Sequence, residues 1–259
     1  MTSKSVQHLE GLKETHIKRL QILEQQAATY GISTPPHILI EIEELKRKIE
    51  DINLQLPELK KSSSQTSASP AITILFLSAD PTTEARLRLG EELREIHEKL
   101  QLAKLREQIK LEQRMSVRPS DLSQALLDVQ PQIVHFSGHG SESGALCFEN
   151  LTGETHPIDA STLSELFKQF AKHISCVLLN ACYSEVQGRA IATHIDYVIG
   201  MSQAIGDKAA IAFSIGFYQG VGAGRSIEDA YKLGCVQIRL EGIPEHLTPI
   251  LIKRESLGP

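Results

Sequence analysis

The sequence predicts an α/β protein, a mostly parallel sheet sandwiched by helices and preceded by a helical hairpin. Three observations lead there. Short continuous apolar runs such as Ile72-Thr73-Ile74-Leu75-Phe76-Leu77 have the length and composition of strands buried on both faces. Amphipathic segments of helical period alternate with these runs, which is the rhythm of a sheet covered on both sides. A heptad seam followed by a Ser-rich polar stretch sets residues 1–70 apart from that rhythm.

Composition bounds the rest. A chain of 259 residues has room for one substantial α/β domain plus a small accessory element. With 41% hydrophobic and 23% charged residues it has the profile of a folded globular protein. A net charge of -5 argues against nucleic acid, and the basic residues between Lys99 and Lys110 alternate with Glu98, Glu107 and Glu112 as on a solvated helix face. Cys147, Cys176, Cys182 and Cys235 show neither CxxC zinc spacing nor a disulfide framework. No signal-like N-terminus or membrane-length apolar run is seen, so a cytoplasmic, reduced protein is expected.

Residues 1–59 read as two helices. Ile38, Ile42, Leu45, Ile49, Ile52 and Leu56 form the heptad seam of the second, and Leu9, Leu12, Leu20, Leu23 and Ala27 a looser stripe on the first. Gly31 to Pro36 separates them, because the proline pair cannot continue a helical ladder. Such a hairpin needs a packing partner, whether its own other arm, a second copy or another protein. Residues 60–70, Lys-Lys-Ser-Ser-Ser-Gln-Thr-Ser-Ala-Ser-Pro, are expected to be a flexible linker to a second domain at 71–259.

The second domain opens with the strand at Ile72 and continues into a helix striped by Leu89, Leu93, Ile96 and Leu100. Ile109 to Val117 is a strand polar enough for a sheet edge, and Pro119 starts a helix whose core face is Leu122, Ala125, Leu126 and Val129. A buried strand follows at Ile133 to Gly140, then a small hairpin turning at Leu151 to Glu154. Asp159 is placed to cap a helix buried through Leu163, Leu166, Phe167 and Phe170. After the apolar strand beginning at Cys176, the pattern gives a helix over residues 187–195, a strand over 197–201, and helices over 207–221 and 226–239.

Two strand ends carry the chemistry. His135-Phe136-Ser137-Gly138-His139-Gly140 delivers a histidine onto a glycine-flanked turn, and Leu178-Leu179-Asn180-Ala181-Cys182 delivers a cysteine. Parallel strands ending side by side put both at one sheet edge, where open α/β sheets hold their sites. A thiol acts as a nucleophile only when deprotonated, and a neighbouring imidazole serves that purpose. The Gly140 and Cys182 amides are placed to face a developing oxyanion. Against this stands the bland account of Cys182 as a small core hydrophobe and His139 as a loop residue, which the shared strand-end context outweighs. His135 is expected to be a satisfied core histidine, or one that supports the site from behind, rather than a metal ligand. Gly220, Gly222 and Gly224 form a GxGxG pattern without the strand or Lys-Ser/Thr pair of a nucleotide loop, so neither cofactor nor metal is expected.

The motifs at 135–140 and 178–184 resemble the paired motifs of the CHAT proteases, caspase-like cysteine peptidases related to caspases, separases and gingipains. Leu77-Ser78-Ala79-Asp80-Pro81, Val198 to Met201 and Ala212 to Gly220 extend the likeness over roughly residues 71–241. The resemblance implies a caspase-like fold and an endopeptidase in which Cys182 attacks the carbonyl and His139 moves the proton. It also implies that Asp80 and Asn180 line the pocket for the residue preceding the scissile bond. Asp80 would favour a basic residue there, while Asn180 departs from the aspartate of arginine- and lysine-specific relatives; capping of the next helix is the other role open to Asp80. Residues 23–37 resemble small helical effector-associated modules of bacterial conflict and signalling proteins. That likeness implies a protein partner recruited through residues 1–59, with coiled-coil self-association as the alternative, and an effector whose substrate is a protein or peptide. A non-catalytic caspase-like scaffold is the competing reading. No nucleic acid or membrane partner is expected.

Overall fold

A computed structural model describes residues 2–30, 34–65 and 72–254. The chain divides into two compact units, Met1–Pro70 and Ala71–Pro259. In the first, helices α1 (Thr2–Tyr30) and α2 (Pro36–Gln65) bury Leu23 against Ile38, Ile42 and Leu45, with Leu20 and Ala27 alongside. The heptad seam therefore packs against its own other arm. Arg19–Glu41 and Lys46–Glu24 pairs flank it, both at exposed positions where an ion pair adds little stability. Of the expected breaker, Gly31 to Ser33 lie outside the described residues, and Pro36 takes the first helical position, where its missing N–H costs nothing.

One boundary differs from expectation. Helix α2 continues to Gln65, so residues 60–65 of the expected linker are helical, and the remainder lies outside the described residues. Lysine and serine do not break a helix as proline or glycine would.

The second unit is an eight-stranded sheet assembly. Its main path runs β2 (Ile109–Arg114), β1 (Ile72–Ala79), β3 (Ile133–Gly140), β6 (Cys176–Asn180), β7 (Tyr197–Met201) and β8 (Pro249–Lys253). The first five are parallel, and β8 closes one edge antiparallel to β7. The hairpin β4 (Leu146–Glu149) and β5 (Thr155–Ile158) branches from the end of β3. Strand β8 has no counterpart in the sequence reading, because its five residues follow a turn-rich segment without a helical partner of their own.

Alternation along β1 assigns the two faces. Leu75 and Leu77 point into a core completed by α4 (Pro119–Val129), α5 (Ala160–Phe170) and α6 (Glu185–Ile191). Ile74 and Phe76 point into the other, built with α3 (Leu89–Gln101), α7 (Asp207–Gly222) and α8 (Ile227–Leu240). Asp159 caps α5 as expected, its carboxylate accepting from the Thr162 amide at 2.9 Å, with hydrogen bonds from Ser161 and Thr162 holding its pKa down at about 2. Within the GxGxG pattern, Gly220 serves helix packing: a Cβ there would lie 2.7 Å from Ala230 Cα, so the glycine lets α7 and α8 approach closely, while Gly222 packs on Ala103 and Gly224 takes φ 76° past the end of α7. Among the described residues, no helix is long and apolar enough to cross a membrane.

Candidate active site

The register of the central strands sets out the site. Ser137 on β3 stands opposite Asn180 on β6, so His139 and Cys182 each lie two residues beyond a matched pair. Both line one cleft at the C-terminal edge of the sheet. Their side chains do not hydrogen-bond to each other. Cys182 Sγ instead lies 3.5 Å from the Ile205 amide, which donates to it, and 3.8 Å from the Ile205 carbonyl. Long or unmade contacts between catalytic partners are common before substrate binds.

His139 is oriented by backbone. Its Nε2 lies 2.8 Å from the Ala85 carbonyl, which can only accept, so that nitrogen carries the proton and Nδ1 holds the free lone pair. The loop presenting Ala85 is tied to the β4–β5 hairpin, with the Thr82 amide donating to Gly153 O at 2.8 Å and Thr155 Oγ1 donating to Glu84 at 3.0 Å. The hairpin thus holds the carbonyl that sets the imidazole tautomer.

Glycine at 140 is required by close approach. A Cβ there would fall 1.9 Å from Cys182 O, so the histidine and cysteine turns touch through backbone alone. Ser141 N donates to Ala145 O, and the alternation of an antiparallel ladder then turns the Gly140 amide away from β4. Beyond the cysteine, Tyr183 adopts φ 55°, a left-handed conformation uncommon for a side chain of its size. Ser184 holds that turn, its hydroxyl donating to Leu179 O and accepting from Met201 N, each at 2.9 Å. Gly140→Ala is expected to destabilise the protein by about 1–3 kcal/mol through overpacking. Gly90→Ala, on an open face of α3 with nothing within 4 Å, should be neutral or stabilising in the same thermal unfolding measurement.

Asp80 is placed differently from its two expected roles. Pairing of Ala79 with Gly138 sets residue 80 beside His139, and Asp80 Oδ1 lies 3.7 Å from His139 Nε2. Its Oδ2 accepts from Arg86 at 3.0 Å. It is not among the residues lining the cleft, and it does not cap α3, which begins only at Leu89 with Arg88 before it. Asn180 does line the cleft. Its Nδ2 donates to Glu92 Oε1 at 2.6 Å and lies 3.3 Å from Ala210 O.

Glu92 is the residue the sequence reading missed. It sits three residues after Leu89 and four before Ile96, on the buried stripe of α3, and is 2% exposed. Ser137 donates to its Oε2, Ser214 to Oε1 at 2.6 Å, and His135 Nε2 lies 3.2 Å away. His135 in turn meets Tyr218 OH through Nδ1 at 3.1 Å, while its Nε2 is buried beside Glu92 without a hydrogen bond, so it is a core histidine satisfied at one nitrogen only. Burial opposes ionisation of Glu92, but the electrostatic pull of His135 and the hydrogen bonds from Ser137 and Ser214 outweigh it and hold the carboxyl below its usual range. A glutamate on an otherwise apolar stripe was the available signal.

The CHAT domain model matches residues 43–239, which include the whole sheet except β8 and both motif turns. The chain belongs to the CHAT domain family. A "Roc-COR-CHAT protease" of an unknown prokaryotic organism is 30% identical over 201 residues, covering 71% of this chain and 18% of that protein. A "Probable protease" of Gillisia limnaea is 25% identical over 147 residues, or 56% of this chain and 26% of the relative. The chain thus spans about a fifth to a quarter of the length of these curated relatives. Among solved structures, caspase-1 from Spodoptera frugiperda is similar at TM-score 0.48 and 11% identity, covering 71% of this chain and 86% of that one. The Drosophila initiator caspase Dronc is similar at TM-score 0.44 and 8% identity, with coverage of 70% and 79%. Both curated relatives are named as proteases.

Proposed function

We propose that this CHAT domain is a cysteine endopeptidase working through His139 and Cys182. The observation that carries this reading is their meeting in one cleft, with Gly140 packed on the Cys182 backbone and His139 Nε2 occupied by Ala85 O. His139 Nδ1 takes the thiol proton as Sγ attacks the scissile carbonyl carbon. The same proton passes to the leaving amine as the C–N bond breaks. Water, deprotonated by Nδ1, then hydrolyses the thioester and regenerates the thiol. The Gly140 and Cys182 amides are the proposed oxyanion donors. Asp80, with Oδ1 buried and without a hydrogen bond, is suited to offset the imidazolium charge during proton transfer.

Residues 1–59 are proposed to switch the domain as a recruitment or self-association module in a bacterial signalling or defence effector. Their support is the apolar side chains left exposed outside the α1–α2 seam, Ile22, Leu39, Ile40 and Leu54.

The absence of a direct bond between His139 and Cys182 favours a second reading, a scaffold that uses the fold without catalysis. Thiol chemistry separates the two. Burial pushes Cys176 up to about 12, burial and Glu84 raise Cys147, and burial raises Cys235. Iodoacetamide is therefore expected to modify Cys182 first in the native protein, several-fold more slowly in His139→Ala. Wild-type protein should also cleave a fluorogenic peptide set, at basal level or after enforced dimerisation through residues 1–59. Slow alkylation of Cys182 unchanged by His139→Ala, with no cleavage under either condition, would establish the scaffold instead.

A further inference from the structure

The edge of the sheet farthest from β8 is open. Strand β2 has β1 on one side, in unbroken parallel register from Ile109 opposite Ile72 to Arg114 opposite Leu77, and among the described residues no strand on the other. Parallel pairing engages the N–H and C=O of alternate residues, so every second residue of β2 directs its backbone groups outward. Among the described residues, the backbone from Lys110 to Arg114 takes one bond from outside the ladder, Arg114 Nη1 donating to Gln113 O at 2.8 Å. Such a row is a template for one more strand, because a peptide backbone repeats donors and acceptors at the same spacing.

A groove runs beside this edge, between β2 and α3. Half-buried Leu93, Ile109 and Leu111 line it, and an added strand would aim every second side chain into it. The charges around the groove choose the peptide. Three arginines, Arg94, Arg106 and Arg114, line it with a single acid, Glu112, on a chain whose net charge is -5. Glu112 is already shared between Lys110 at 2.9 Å and Arg114 at 3.6 Å. Arg94 and Arg106 each reach only the acid next in sequence, Glu95 and Glu107, at 3.4 Å and with more than half of the arginine side chain exposed. Exposed pairs of that kind hold weakly, which leaves both guanidinium groups able to turn to an incoming carboxylate. Residues 66–71, which lead into β1, carry no acid, so they do not match the groove.

We propose that the β2 edge is a docking site for an extended, acidic segment of another protein, which adds to β2 as a strand and sets its carboxylates against Arg94 and Arg106. The site lies outside the cleft of His139 and Cys182, and α3 borders both: its Leu89 and Glu92 line the cleft, its Leu93 and Arg94 the groove. Docking there requires no catalysis, so the inference stands apart from the endopeptidase reading.

Peptide titrations test it in the full chain carrying Cys182→Ala, which protects the probes from cleavage. Three fluorescein-labelled octapeptides are compared by fluorescence anisotropy, alternating Val with Glu, Val with Lys, and Pro with Glu. The Val-Glu peptide is expected to bind about tenfold or more tightly than either of the others, since the second reverses its charge and the third keeps the charge but loses alternate N–H donors. Amide NMR shifts on its binding should concentrate on β2 and α3. Arg94→Glu combined with Arg106→Glu, at exposed positions, should leave the circular dichroism spectrum unchanged, weaken the Val-Glu peptide about tenfold or more and make the Val-Lys peptide the tighter ligand. No binding of the Val-Glu peptide, shifts located elsewhere, or unchanged affinity in the double variant would overturn the site. Equal binding of the Pro-Glu peptide would reduce it to charge attraction without strand addition. A dimer in sedimentation that the double variant converts to monomer would give the edge to a second copy of this chain instead.

Discussion

Cys182→Ala is expected to reduce peptide hydrolysis by about 10⁴-fold or more, to the uncatalysed background, while leaving the fold intact. The two halves of that expectation have separate grounds. Chemically, no other cysteine can substitute, since Cys147 and Cys176 are buried strand residues and Cys235 lies on α8. Structurally, the thiol has polar contacts only with the Ile205 backbone, and Cys182 sits past the end of β6 rather than in the ladder. Removing Sγ therefore breaks no strand pairing, and the thermal midpoint should move little. His139→Ala should lose nearly as much activity, and the double variant no more than either single one, because nucleophile and base act as a unit. Continuous fluorogenic assays and thermal unfolding measure both halves. Residual turnover within tenfold of wild type in a folded Cys182→Ala protein would remove the thiol from the mechanism.

The candidate dyad was legible because its two residues end apolar runs that could only be buried strands. Periodicity fixes which segments are strands, and parallel pairing then brings their C-terminal ends together. Asp80 shows the limit of that inference. Its place at the end of β1 was readable, but whether it turned into the cleft or toward His139 depended on Arg86 and on a one-residue offset across Ala79 and Gly138. Ala85 left no trace at all, since its contribution is a backbone carbonyl held by a loop. Glu92 left a trace of a different kind. Its spacing put a charge on the apolar stripe of α3, but four partners drawn from β3, β6 and α7 are what make that charge tolerable, and none is near it in sequence.

Those partners give the largest stability effect expected in the protein. Glu92→Ala should cost about 3–5 kcal/mol, the range for breaking a buried charged network by removing one member. The loss has two sources. A cavity opens beneath the cleft, Ser137 Oγ, Ser214 Oγ and Asn180 Nδ2 lose their shared acceptor while still buried, and the His135 ring loses the carboxylate beside it. The pH dependence carries a sign that identifies the cause. The Glu92 carboxyl has its folded pKa lowered from an ordinary value of 4.5, so its stabilisation is present in full above that value and is lost as pH falls through the folded one. Wild type should therefore show an acid-side loss of stability that Glu92→Ala lacks, so that the two urea midpoints converge as pH drops below about 4.5. A constant gap between them across that range would mean that packing alone is lost, and that the carboxylate network contributes nothing to holding Ser137 and Asn180 beneath the two strand ends.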